Sequence, residues 1–376
     1  MTDLALDTAA TTTLEEILIA RIKEHGSISV AAFMADALGH PEHGYYMTQS
    51  PFGQQGDFTT APEISQVFGE LIGAWLVHTW EEIGAPASFN LIELGPGRGT
   101  LMSDILRTAK VRPDFLKAVQ VYLVETSPAL RDAQKALLRN ATAALKWVTD
   151  LDEIPAGPAL IVGNEFLDCL PIRQFVRTTR QQEPCWRERL IGIETKDGKD
   201  NLQFILSDEY CNTPVGAPTS VRPEDIFEVS EATQKVVLQI ANRLQAHKGR
   251  ALFIDYGHAQ SGFGDTLQAL QNHKYCAPLH KPGQADVTAH VDFESLANTA
   301  QEAGLAVNGP EPQAILLGRL GLAARAQALV TRLSRDDAKR LETGIRRLVH
   351  PEEMGTLFKV ISLSSKDLPS PAGFSA

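Results

Sequence analysis

The run LIELGPGRGT at residues 91–100 constrains this chain more than any other stretch. It reads as a buried strand, 89–94, that breaks into a glycine turn and passes at Thr100 into a helix reaching Lys110. Gly95, Gly97 and Gly99 carry no Cβ, so the backbone there can come close to a ligand. A strand, a glycine turn and a helix in series are how an α/β sheet holds a nucleotide-like cofactor at the carboxyl ends of its strands. The spacing is G-x-G-x-G, not the G-x-G-x-x-G of dinucleotide enzymes. Glu93 stands two residues before the first glycine. A carboxylate there repels a pyrophosphate and favours a cofactor with an ammonium or sulfonium group, such as S-adenosylmethionine (SAM).

Further strands follow in order. VQVYLVETSP (119–128) ends in Glu125, an acid placed to accept from both ribose hydroxyls. It lies somewhat further past Gly99 than the roughly 20 residues of a dinucleotide fold. LKWVTDLDEI (145–154) is a short strand ending at Asp150, which either accepts from an adenine amino group or starts a turn with Asp152 and Glu153. ALIVGNEFLDCLP (159–171) ends in Asn164 and Glu165, and RALFIDYG (250–257) ends in Asp255. Five apolar strands separated by helical stretches indicate a doubly wound parallel α/β sheet. A glycine turn alone is weak evidence, because tight strand-to-helix turns need glycine anyway; the ordered series of acids after successive strands is what points to SAM.

The same residues carry a family resemblance. GDFTTAPEISQVFGELIGAW (56–75), IELGPGRGTLMSDILR (92–107), VETSPALR (124–131) and NEFLDCLPIRQF (164–175) come first. IDYGH (254–258), GDTLQA (264–269), PGQADVTAHVDF (282–293) and MGTLFKVI (354–361) follow. In this order they resemble the MidA-like family of SAM-dependent methyltransferases, relatives of the mitochondrial complex I assembly factor that methylates an arginine. The one departure is Cys169, where a small residue such as alanine is expected. The resemblance implies a mostly parallel seven-stranded class I methyltransferase sheet with N-terminal helices and an inserted β/helical subdomain. It also implies SAM as cofactor, held by Glu93, Gly95, Pro96, Gly97, Glu125, Asp150 and Asn164. It implies symmetric dimethylation of an arginine in a complex I subunit or similar protein.

A guanidinium stays protonated at neutral pH, so its nitrogen lone pairs are delocalised. Carboxylates that grip the fork by paired hydrogen bonds localise the charge away from the attacked nitrogen. Glu165 and Asp168, three apart where the chain leaves the fourth strand, are the candidates. Glu165 is assigned to the guanidinium; Asp168 either assists or serves as a helix cap or salt-bridge partner. Asp57, Glu63 and Asp255 stand in reserve, with Asp57 and Phe58 in a loop that would act as a lid. Two rival classes are an NAD-dependent oxidoreductase, disfavoured by Glu93 and the glycine spacing, and a non-catalytic SAM-binding assembly factor.

The 376 residues are 43% hydrophobic and 22% charged, enough for a sizeable core. A net charge of −11 argues against a general nucleic-acid binder and suits a basic protein substrate. The four cysteines form no C-x-x-C pair, and His40 and His43 in GHPEHG read as loop residues, so no metal site is signalled. No stretch approaches the about 18 apolar residues of a membrane span. The N-terminus lacks the apolar core of a signal peptide and the arginines of a transit peptide, which points to a bacterial cytoplasm, or to a mitochondrial matrix if a presequence has been removed.

Residues 1–13 are small and polar and read as disordered. Residues 14–85 form a cap: helices from Leu14 and from a Ser29 cap, the long loop 39–62, and one helix from Pro62 to Ile83. This cap is expected to pack beside the sheet and roof the cofactor pocket. The SAM-binding core takes 86–172 and 208–310. Residues 173–207 are a β insertion that would bind substrate or form a homodimer. Residues 311–352 are a helical insertion whose many arginines read as a solvated face. A closing strand lies in 353–364 and a tail in 365–376.

Overall fold

The computed structural model describes residues 12–48, 59–181 and 183–375. Along its main path the central sheet has seven strands, in chain order β1 Phe89–Leu94, β2 Val119–Val124, β3 Ala144–Val148, β4 Ala159–Asn164, β5 Gly249–His258, β6 Ala306–Pro312 and β7 Phe358–Ser364, and the short strand Val291–Asp292 pairs parallel with the end of β5 as an eighth. Their spatial order is β6-β7-β5-β4-β1-β2-β3. β1 to β5 run parallel; β7 lies antiparallel between β5 and β6. Every residue of β1 and of β4 is buried, as expected of strands covered on both faces. This mostly parallel sheet is the one the family resemblance implies.

Helices Gln66–Glu82, Thr100–Thr108 and Gln313–Arg319 bury one face through Phe68, Trp75, Ile105 and Leu316. Glu231–His247 and Phe293–Glu302 bury the other through Val237, Leu244, Phe293 and Leu296. β1 and β4 are neighbours, yet the chain leaves β1 toward β2 and β3 before it returns to β4. The crevice beyond their carboxyl ends is the switch point where such sheets bind ligands.

Several sequence expectations need correction. The expected helix Pro62–Ile83 is two helices, Ala61–Ile64 and Gln66–Glu82. Ser65 is extended between them, and its hydroxyl caps the second by accepting from Val67 N–H. The third strand stops at Val148, before Asp150. The β insertion does not end at 207: Lys199–Cys211 stays paired with Glu183–Lys196 through Cys211, and Ile226–Val229 pairs with Arg173–Arg180. The ladder carries the exposed residues Asp208–Cys211, which have no buried face to announce a strand.

The cap reaches the cofactor crevice through Tyr46, Thr60, Pro62 and Glu63, whereas helices Leu14–His25 and Val30–Gly39 pack elsewhere. They bury Leu18, Phe33 and Met34 with Ile191 of the insertion and with Ile172, Leu267 and Val287. The disordered reading of 1–13 fails at its end, because Thr13 forms a capping box with Glu16; residues 1–11 lie outside the described residues. Arginines of the helical insertion reach solvent as expected and also tie it down: Arg325 donates to the buried Glu70 at 2.7 Å, and Arg319 pairs with Glu311. The tail packs, with Trp75 Nε1 donating to the Ala372 carbonyl at 3.0 Å. Among the described residues no helix is long and apolar enough to cross a membrane.

Candidate active site

The glycine turn holds Gly95, Gly97 and Gly99 at φ of 60°, 52° and 86°. At Gly95 a Cβ would also come within 3.0 Å of the Phe166 ring, so the turn and the β4 exit pack against each other through the missing side chain. A cavity of about 230 Å³ opens between them, lined by Gly95, Gly97, Glu125, Thr126, Asp150 and Glu165 among others. A smaller space of about 30 Å³ adjoins it, lined by Glu93, Pro96, Gly97, Asn164 and Glu165. All seven expected cofactor residues therefore lie at one crevice.

Their electrostatics fit a cation. Glu93 Oε2 and Asn164 Oδ1 are buried and have no hydrogen-bond partner among the described residues. Burial and the nearby Glu125 push the Glu93 carboxyl well above the usual range. An ammonium group entering here would meet two unpaired acceptors and relieve that repulsion. Glu125 accepts from Ser127 N–H at 2.8 Å and from Gln134 Nε2 at 3.2 Å. Burial raises its pKa while those bonds hold it down. A carboxylate has more lone pairs than these two bonds use. Asp150 starts the turn expected of it and stands at the cavity as well. It caps the turn Leu151–Glu153 by accepting from Asp152 N–H, and it lines the cavity, where Gln239 Nε2 also donates to it.

Glu165 sits in left-handed backbone at φ 51°, unusual for a residue with a Cβ. Its Oε1 accepts from Ala61 N–H at 2.9 Å and from Asn164 Nδ2 at 3.0 Å. Burial, together with the charge of Asp168, lifts its carboxyl to about 7. Glu165 lines the cofactor cavity and also a second one of about 630 Å³, with Tyr256, Gln268, His290, Arg347 and Phe358.

Asp168 is neither a helix cap nor an ion-pair partner. It is buried behind the wall of that second cavity, where the Tyr256 hydroxyl donates to its Oδ2 at 2.5 Å. Burial lifts it to about 6 against that hydrogen bond. Asp255, a reserve acceptor residue, serves the turn instead: its Oδ2 accepts from the N–H groups of Phe166, Leu167 and Asp168. Glu63 accepts from Thr100 at 2.6 Å and pairs with Arg98, bracing the glycine turn. Asp57 and Phe58, with the lid expected of them, lie outside the described residues. His40 caps its own loop, accepting from Glu42 and His43 N–H.

Sequence reasoning missed four side chains. Gln134, wholly buried, donates to the Gly97 carbonyl at 2.7 Å and accepts from Trp147 Nε1. Its signal was present: Leu130, Gln134 and Leu138 recur every four residues, so one amide interrupts a buried helical stripe. Tyr46 lines the cofactor cavity and donates to Asp286 at 3.0 Å. Tyr256 and His290 lie in the segments IDYGH and PGQADVTAHVDF that carry the resemblance, but nothing in either segment marks them as facing a common cavity.

The chain matches the family model described as "Putative S-adenosyl-L-methionine-dependent methyltransferase" over residues 71–311. It belongs to that family. It is 35% identical to the Drosophila melanogaster "Protein arginine methyltransferase NDUFAF7 homolog, mitochondrial" over 93% of this chain and 84% of that one. The Homo sapiens "Protein arginine methyltransferase NDUFAF7, mitochondrial" is 33% identical over 92% of this chain and 82% of that one. A Burkholderia thailandensis protein crystallised with S-adenosyl-homocysteine shares the fold at a TM-score of 0.79, with 24% identity over 96% of this chain and 93% of that one. The protein is thus a methyltransferase whose donor is SAM, and the nicotinamide reading falls. The relatives' names say mitochondrial, and no comparison supports a cytoplasmic setting.

Proposed function

We propose that this methyltransferase acts on an arginine side chain of a protein. The observation that carries the reading is Glu165: one carboxylate facing both the cofactor crevice and the second cavity. SAM, when bound, supplies a methyl group activated by its sulfonium. In our reading Glu125 holds the ribose hydroxyls and Asp150 the adenine amino group. Glu93 and Asn164 hold the ammonium, and the Gly95–Gly97 backbone admits the chain between. Glu165 holds the acceptor guanidinium by its open lone pairs. Tyr256 and Phe358 offer rings on which a planar cation stacks. Asp168 fixes Tyr256 from behind.

Holding donor and acceptor in line is worth up to about 7–11 kcal/mol of the barrier. The arginine assignment draws further on the names of the relatives. The family resemblance narrows it to a complex I subunit, symmetrically dimethylated, in the compartment where that complex is built: the bacterial cytoplasm or the mitochondrial matrix. Incubating the protein with isotopically labelled SAM in a lysate of a deletion strain tests this. Mass spectrometry should find the label on arginine of one protein; label on lysine or on a small molecule alone would reject the reading.

A further inference from the structure

We propose that His290 takes up the proton released by methyl transfer and passes it by way of His258 and Asp292 toward solvent. The inference rests on the arginine reading above. In that reaction the sulfonium carbon–sulfur bond breaks, a nitrogen–carbon bond forms, and the guanidinium nitrogen gives up one proton. The product remains a guanidinium, so the proton must leave a site already crowded with positive charge.

Glu165 is poorly suited to keep that proton. Protonation would abolish the charge by which it holds acceptor and product. Its Oε1 is also committed to Ala61 N–H and Asn164 Nδ2. Two histidines also line the acceptor wall: His273 is exposed, whereas His290 is half-buried between Tyr256 and a second space. His290 stands just after the strand Asp286–Thr288, fixed by its own N–H donating to Thr266 Oγ1 at 2.9 Å, and its ring meets Tyr256 edge-on at 5.6 Å.

Its position between two spaces gives direction. On one side it lines the acceptor cavity with Glu165 and Tyr256. On the other it lines a separate small cavity with His258, Asp292 and Glu228. There His258 Nε2 lies 3.7 Å from Asp292 Oδ2, which also accepts from Ser261 Oγ at 2.7 Å. Titratable groups around His290 include Glu165, His273 and Tyr275, which share its cavity, and others on the surrounding elements. Tyr256 and His258 stand on β5, Lys359 on β7, Asp292 at the helix cap, Glu228 on Ile226–Val229 and Arg347 on the helix Arg335–Val349. Burial, His258 and Lys359 lower its pKa below the usual imidazole value, so the ring is neutral and has a lone pair at pH 7.

The test is single-turnover transfer of labelled methyl to an arginine acceptor, alongside SAM affinity. His290→Gln should leave SAM affinity unchanged and slow transfer at least tenfold at pH 7, with the gap closing toward pH 9 as hydroxide accepts the proton. His290→Gly should recover rate on addition of imidazole, a rescue that a merely structural histidine would not show. Should the glycine variant fail to fold, the glutamine variant and its pH profile decide. An unchanged rate and profile in His290→Gln, with wild type active on arginine, would overturn this inference alone. A wild type that transfers no methyl to arginine would overturn the substrate reading, and this inference with it.

Discussion

Burial and the charge of Asp168 lift the Glu165 carboxyl to about 7 from its ordinary 4.5. Between those two values the folded state binds more protons at this site than the unfolded chain. Its contribution to stability therefore falls as pH rises through that window. Glu165→Gln removes the titration. Relative to wild type it should gain about 1–3 kcal/mol on going from pH 4.5 to pH 8, a range that allows for the side chain's open face on two cavities. Paired denaturant titrations at the two pH values check the sign. The same variant should bind SAM normally and lose transfer. Glu125→Ala bears on the opposite end of the cofactor. Calorimetry should find SAM weakened by about 1–3 kcal/mol through lost ribose bonds and a freed Gln134 amide.

At the scale of elements, Glu70 is the tie between insertion and core. It is 6% exposed on the helix Gln66–Glu82 and accepts from Arg107 and, at 2.7 and 3.1 Å, from Arg325 on the helix Leu322–Val330. Burial alone would raise its pKa, but the Arg325 and Arg107 hydrogen bonds outweigh burial and lower it. That stability is present above the unfolded carboxylate pKa and is lost as pH falls through the lowered one. Glu70→Ala should cost about 1–3 kcal/mol by denaturant titration. The estimate stays below that for a fully buried pair because both arginines reach solvent.

Legibility divides along the same line. β1, its turn and the acids at the ends of β2 and β4 were readable, because each lies within a few residues of a strong apolar or glycine signal. The acceptor wall was not. Tyr256, His290, Arg347 and Phe358 come from four separate segments and meet only once β5 and β7 have paired. Asp255 shows the complementary error: an acid at a strand's end looked available but is consumed by three backbone N–H groups of the neighbouring turn.

For the whole molecule, the terminal segment belongs to the core. Arg250, with a fully buried side chain, donates to Glu82 and to the Pro369 carbonyl, and Ala372 accepts from Trp75. Deleting residues 366–376 should cost about 1–3 kcal/mol and be seen as a lower midpoint in denaturant with little change in far-ultraviolet circular dichroism. The interleaving of β7 between β5 and β6 has a temporal meaning as well. During synthesis on the ribosome β6 emerges with no neighbour to receive its backbone hydrogen bonds. It must wait, edge exposed, until the last strand has been threaded in. A nascent chain stalled before Phe358 therefore carries an unpaired strand edge, open to pairing with another chain.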